Sequence, residues 1–367
     1  MRALLLLALV MLAAACERCE GRNFIPASDR RIVYTGRFEP RAGGAMRFAW
    51  PASRIALRFT GGTLRMRVTD TPLEDETRET DWLAIRIDDR PPRALHLTEG
   101  THVYTLAQDL PGGVHRVEIV KRTEAEVGTA TLHGFELERA RTLERPGPVP
   151  RRHIELVGDS ITAGYGNEAT SNACHWDAAL ENGDRTYGAV AARELEASFT
   201  AVAWSGKGLM RNFDPREHET VPMLYERVIP TDPRSALAPP APNTDVVVIN
   251  LGTNDFFASI PDEQAFLDAY RALIAKLRKR YPDALLFLAV GPMLADDFPH
   301  PQSRSTLRRW LAALRDELHA GGDRAIELIE FWIDPAEGLG CDSHPNVKTH
   351  ARLGLELAEA IRKRAAQ

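Results

Sequence analysis

The chain has 367 residues, 44% of them hydrophobic and 26% charged, which is ordinary for a globular protein and long enough for two domains. Its net charge of -5 comes without any basic run, so nothing points to nucleic acid as a partner. Four cysteines are too few for a disulfide scaffold but permit one bridge.

Residues 1–16 read as an export signal. Arg2 is the charged start and Ala3 to Ala15 the apolar core, thirteen residues, short for a membrane span. Ala13-Ala14-Ala15-Cys16 suits lipoprotein processing, with Cys16 as the lipidated first residue. Plain secretion, with cleavage near Ala15, is the alternative. Either route takes the folded chain out of the cytoplasm, where disulfides persist. The only membrane contact expected is a lipid anchor at Cys16. Residues 17–30 are read as a tether.

From 31 to 143 the pattern is strand after strand. Ile55, Leu57 and Phe59 alternate with Ala56 and Arg58, and Leu64, Met66 and Val68 with Arg65 and Arg67. Period-two patterning with one wet face predicts half-buried strands. Turn signals such as Gly61-Gly62 and Pro111-Gly112-Gly113 separate them. Eight or so short strands predict an all-β jelly-roll sandwich. The loop from Thr71 to Asp81 is acidic and expected to be exposed.

Residues 144–152 include Pro146-Gly147-Pro148-Val149-Pro150 and read as a linker. From 153 to 367 strands alternate with helices, which predicts a parallel sheet covered on both faces. Expected strands are Ile154–Val157, Thr200–Trp204, Val246–Asn250, Leu285–Val290 and Ile326–Phe331. Expected helices are Tyr187–Ala197, Asp262–Arg280, Leu307–Ala320 and Thr349–Arg364. Pro230 to Pro242 carries five prolines and is expected to be a surface loop.

The chemistry concentrates just after those strands. Gly158-Asp159-Ser160 follows the first, where an α/β sheet binds its ligands and a helix start offers unpaired N–H groups. Ser160 there is a candidate nucleophile; a helix cap made by Asp159 and Ser160 is the alternative. His344 in Asp342-Ser343-His344-Pro345 is the candidate base, since imidazole titrates near neutrality. A solvated loop histidine is its plainer reading. Backbone N–H groups of Ser160 and Gly206 and the amide of Asn254 are candidate oxyanion donors. Gly206 could equally be a turn glycine, and Asn254 a cap.

The blocks Gly158-Asp159-Ser160, Ser205-Gly206-Lys207-Gly208, Gly252-Thr253-Asn254-Asp255 and Asp342-Ser343-His344 stand in the order of the SGNH (GDSL-type) hydrolases, which this chain resembles. The resemblance implies a flavodoxin-like α/β/α hydrolase domain. It also implies that Ser160, Gly206 and Asn254 form the oxyanion hole. Most such enzymes place the triad acid three residues before the histidine; here that position is Cys341, and Asp342 lies two before. With a jelly roll in front, the departure resembles carbohydrate esterase family 2, in which a backbone carbonyl can take the orienting role. Asp342 therefore either orients His344 or is a loop aspartate. The implied activity is release of O-acetyl groups from a carbohydrate such as xylan or glucomannan, without a cofactor or metal. A broad-specificity lipase or thioesterase, or a carbohydrate-binding surface protein with a vestigial site, are the rivals. Tyr165, Trp176 and Trp332 are candidate sugar platforms, whereas Trp204, ending a strand, reads as core. Cys174 and Cys341 lie in loops expected on one rim of the sheet, within range of a bridge; two buried free thiols are the alternative.

Overall fold

A computed structural model describes residues 22–73 and 79–365. The export signal, Cys16 and Cys19 lie outside the described residues.

Among the described residues eleven strands form the N-terminal domain: β1 (Asn23–Pro26), β2 (Val33–Thr35), β3 (Glu39–Arg41), β4 (Ala45–Phe48), β5 (Arg54–Thr60), β6 (Leu64–Pro72), β7 (Trp82–Ile87), β8 (Arg93–His96), β9 (Gly100–Ala107), β10 (Val114–Lys121) and β11 (Gly128–Leu137). They make two antiparallel sheets, β3-β4-β11-β6-β9 with β1 also on β11, and β2-β5-β10-β7-β8. The alternation read from β5 and β6 is an alternation of buried with partly buried or exposed side chains in the structure. Ile55, Leu57, Leu64, Met66, Val68, Ile119 and Phe135 meet in the core between the sheets.

Two sequence expectations fail here. Residues 23–26, read as tether, are a strand paired with Gly134–Leu137; a four-residue strand with one buried side chain, Ile25, carries no readable period. The acidic loop is not all exposed. Thr71 and Pro72 extend β6, and Asp81 is fully buried, 2.6 Å from the equally buried Lys121. Burial of a charge demands a partner, and this partner is distant in sequence.

The second domain has one five-stranded parallel sheet built from β12 (His153–Gly158), β13 (Ser198–Ala203), β14 (Thr244–Asn250), β15 (Leu285–Val290) and β16 (Ile326–Glu330). Its order is β13-β12-β14-β15-β16. Seven helices accompany it: α1 (Ser160–Ala163), α2 (Tyr187–Glu194), α3 (Val221–Leu224), α4 (Thr253–Phe257), α5 (Glu263–Arg280), α6 (Ser303–Ala320) and α7 (Val347–Ala365). Val247 and Ile249 face the layer of α5 and α6; Val246 and Val248 face that of α2 and α7. Strands buried on both faces explain the continuous apolar runs. On α5, Phe266, Tyr270, Leu273 and Leu277 are buried on one stripe, and Asp262 caps its start by accepting from the Ala265 N–H.

The two domains share their cores. Trp50 enters the α5–α6 layer, while Ala52, Ala84 and Val120 enter the opposite one. Arg54 pairs with Asp184 at 2.6 Å, and Arg122 Nε donates to the Glu181 carbonyl at 3.2 Å. The sandwich is thus packed along the hydrolase-like domain rather than strung in front of it.

Candidate active site

The chain reverses at the end of β12 because of one glycine. A Cβ on Gly158 would lie 2.0 Å from Thr162 Oγ1, so only glycine lets α1 fold back directly over the strand. Asp159 caps that short helix, its Oδ1 accepting from the Ile161 N–H at 3.1 Å. The capping reading is therefore correct for Asp159, and the Ser160 hydroxyl takes no part in it. Ser160 is 7% exposed, at the floor of the C-terminal rim.

His344 Nε2 lies 2.9 Å from Ser160 Oγ. His344 Nδ1 lies 3.1 Å from the carbonyl oxygen of Cys341. A carbonyl can only accept, so Nδ1 must carry the proton. Nε2 is then the bare nitrogen, and the Ser160 hydroxyl donates to it. Burial pushes the imidazole pKa down to about 4, against the upward pull of the Cys341 carbonyl. At neutral pH the ring is uncharged and able to accept a proton.

Asp342 does not orient His344. Asp342 and Ser343 have φ of 49° and 64°, a left-handed turn that non-glycine residues seldom adopt. The Asp342 carboxylate instead accepts from the Tyr165 hydroxyl at 2.8 Å and meets His175 Nδ1 at 3.1 Å. Tyr165 in turn stacks on the His344 ring, centroids 4.2 Å apart. The aspartate thus reaches the base by contact through a tyrosine, and by its charge, which raises the imidazole pKa less than burial lowers it.

Three neighbouring strands deliver the remaining donors. Gly158 is in register with Ala203 on one side and Asn250 on the other, so Ser160, Gly206 and Asn254 leave the same edge of the sheet. Gly206 has φ of 72° and open space where a side chain would stand. Neither its N–H nor that of Ser160 has an acceptor within the described residues. Asn254 Nδ2 donates to the Lys207 carbonyl at 2.9 Å, and a primary amide keeps a second hydrogen for another acceptor. Sequence reasoning gave Asp255 no role. Its buried carboxylate accepts from the N–H groups of Leu209, Met210 and Arg211 at 2.9, 2.8 and 3.1 Å, which fixes the loop after Gly206. Its position beside Asn254 in the third block was the available signal.

Cys174 and Cys341 are joined by a disulfide. Backbone bonds run alongside: Cys341 N–H to the Gly166 carbonyl at 3.2 Å, and Asp342 N–H to the Cys174 carbonyl at 3.1 Å. The loop leaving Ser160 is thereby laced to the loop carrying His344. Of the aromatic candidates, Tyr165 is committed to His344. Trp176 is half-buried, its indole nitrogen without a hydrogen-bond partner among the described residues. Trp332 is 54% exposed, one face covered by the Arg304 guanidinium at 3.4 Å. It follows β16, three strand spacings or roughly 14 Å from β12. Trp204 is partly buried and packs on the core, as expected.

A serine after β12, a histidine after β16 within hydrogen-bond reach of it, and unpaired donors after the two strands flanking β12 are the arrangement of an SGNH-type hydrolase. The profile of the GDSL-like lipase/acylhydrolase family matches residues 156–352, and that of the carbohydrate esterase 2 N-terminal domain matches residues 34–146. The cellulase/esterase CelE of Acetivibrio thermocellus is 32% identical over 91% of this chain, although the chain spans only 39% of that protein. An acetylxylan esterase / glucomannan deacetylase of Cellvibrio japonicus is 26% identical over 92% of this chain and 90% of its own length. A family two carbohydrate esterase from Clostridium thermocellum, solved with cellohexaose, superposes with a TM-score of 0.84 at 31% identity, covering 91% of this chain and 99% of that one. The chain belongs to carbohydrate esterase family 2.

Proposed function

We propose that the protein is an exported serine esterase that removes O-acetyl groups from carbohydrate through an acyl-enzyme on Ser160. The observation that carries the reading is the 2.9 Å approach of His344 Nε2 to Ser160 Oγ, with Nδ1 held by a carbonyl. In the first half-reaction Nε2 takes the Ser160 proton as Oγ attacks the acetyl carbon. The developing oxyanion is met by the N–H groups of Ser160 and Gly206 and the second amide hydrogen of Asn254. The imidazolium then protonates the departing sugar oxygen. Water then enters, its oxygen bonds to the acyl carbon as Nε2 takes its proton, and the bond from that carbon to Ser160 Oγ breaks to release acetate as Oγ recovers the proton from Nε2.

The choice of an acetylated glycan is supported by the naming of the Cellvibrio japonicus relative and the cellohexaose held by the Clostridium thermocellum structure. Export, with lipidation at Cys16 or plain secretion, is supported by the apolar N-terminal run and by a disulfide that suits an oxidising compartment. The test is acetate release from acetylated xylan, acetylated glucomannan and simple acetylated sugars. No release from any of them would end this reading.

One observation favours a second reading, esters of longer acids. Phe213, Phe257 and Phe298 are 51%, 40% and 52% exposed and adjoin one another. Phe213 donates its backbone N–H to the Gly206 carbonyl, so this apolar edge borders the oxyanion loop. Comparing p-nitrophenyl acetate with the palmitate separates the two: faster turnover of the palmitate would favour the second.

A further inference from the structure

Glu124 belongs to the sandwich domain, in the turn between β10 and β11, yet it is fully buried. Both of its carboxylate oxygens are taken by one residue of the other domain. Oε2 accepts from the Ser205 backbone N–H at 2.6 Å, and Oε1 accepts from the Ser205 hydroxyl. Ser205 is the residue before Gly206. We propose that Glu124 is a positioning residue for the oxyanion loop, its carboxylate clamping Ser205 so that the Gly206 N–H is aimed at the reacting carbonyl. The inference rests on the assignment of Ser160 and Gly206 above.

Gly206 cannot aim itself. Its left-handed φ and lack of side chain leave its peptide to be set by neighbours. Downstream neighbours are tied already: the Gly206 carbonyl by Phe213, the Lys207 carbonyl by Asn254. Upstream, Ser205 is held by Glu124. A donor displaced by a fraction of an ångström loses much of its effect on a transition state.

The clamp is itself rigid. Lys121 Nζ donates to the carbonyls of Glu124 and Thr123 at 2.9 and 3.0 Å and pairs with Asp81 at 2.6 Å. Ala125 is buried with Val228, Ile229 and Ala238 in a small cluster against Trp204. No arginine or lysine forms an ion pair with the Glu124 carboxyl among the described residues; burial holds it and the buried Glu181 carboxyl beside it above the usual carboxylate range, against the pull of the nearby Lys121. Burying a carboxylate is costly, and a contact that merely joined two domains could be made by apolar groups. A side chain with two polar atoms on one planar group is what can hold both the N–H and the hydroxyl of a single residue at once.

The test compares Glu124→Ala, Glu124→Gln and Ser205→Ala with wild type in the full chain. It reads kcat and KM on p-nitrophenyl acetate, thermal midpoint, and hydrogen exchange of residues 203–213. Glu124→Ala is expected to lower kcat by about ten- to a hundredfold with KM within about twofold, and to speed exchange in 203–213 selectively. Glu124→Gln is expected to recover to within about threefold of wild type, because its carbonyl accepts the Ser205 N–H and the hydroxyl turns to accept from its amide. Ser205→Ala, which keeps the backbone bond, is expected to fall between them, and it carries the test if Glu124→Ala does not fold. Wild-type kcat in Glu124→Ala or in Ser205→Ala overturns the inference, as does equal loss in Glu124→Gln and Glu124→Ala. Hydrolysis that survives Ser160→Ala would instead overturn the functional reading, and the exchange data alone would then decide whether Glu124 anchors the loop.

Discussion

His344 takes its orientation from Cys341. The imidazole Nδ1 sits 3.1 Å from the Cys341 carbonyl oxygen, and the sulfur of that same residue is bonded to Cys174. One residue therefore sets the tautomer of the base through its backbone and ties the base loop to the nucleophile loop through its side chain.

If a carbonyl does the orienting, the neighbouring carboxylate is dispensable for it. Asp342→Asn keeps an acceptor for the Tyr165 hydroxyl and should lower kcat tenfold or less. A triad acid lost in the same way typically costs about 10⁴-fold. Measured kcat decides, and a loss of a thousandfold or more would restore Asp342 to the triad.

Removing the bridge should affect both stability and rate. It spans a sequence separation of 167, for which the chain-entropy model gives about 5 kcal/mol as an upper figure. Cys174→Ser in the presence of reductant should lower the thermal midpoint. It should also lower kcat, because Cys341 then holds its carbonyl only through backbone bonds. An unchanged kcat alongside a lowered midpoint would show that the backbone lacing suffices.

The acid limb of the rate profile follows from burial. The unfolded imidazole titrates near 6.5; burial disfavours its cation, so the folded pKa falls to about 4. The neutral base is present above that value and is lost as pH falls through it. kcat/KM should therefore stay flat from neutral pH down to roughly 5 and halve near 4. A midpoint at 6.5 or above would mean that the base is not buried as described.

Asn254→Ala should lower kcat about a hundredfold or more while moving KM little, as for other oxyanion donors. The variant also frees the Lys207 carbonyl, so its crystal structure should be inspected for movement of Gly206. A change confined to KM would place Asn254 in substrate binding instead.

Much of this site can be read from the chain because its parts are local. Ser160, Gly206, Asn254 and His344 each follow an apolar run, and parallel strands put all such positions on one rim. The helices came out within a few residues of their expected bounds, α6 beginning at Ser303 rather than Leu307, since its first turn is buried through the polar residues Ser303, Arg304 and Thr306 and so shows no apolar period. What could not be read depends on backbone detail or distance. The direction of Asp342 is decided by a left-handed turn at Asp342 and Ser343, and nothing in Asp-Ser-His requires one. Glu124 lies 81 residues from Ser205, and a glutamate in a turn ordinarily reads as solvated. The strand at Asn23–Pro26 has too few residues to show a period.

The most direct test of the account is hydrolysis by Ser160→Ala. Acetate release from an acetylated glycan, and p-nitrophenyl acetate turnover, should fall by a factor on the order of a thousand or more, with the thermal midpoint close to wild type because the hydroxyl lies at a rim and caps nothing. Retention of more than about a tenth of wild-type kcat, against the far larger losses usual for such nucleophiles, would contradict the assignment of Ser160 as the group that attacks the ester.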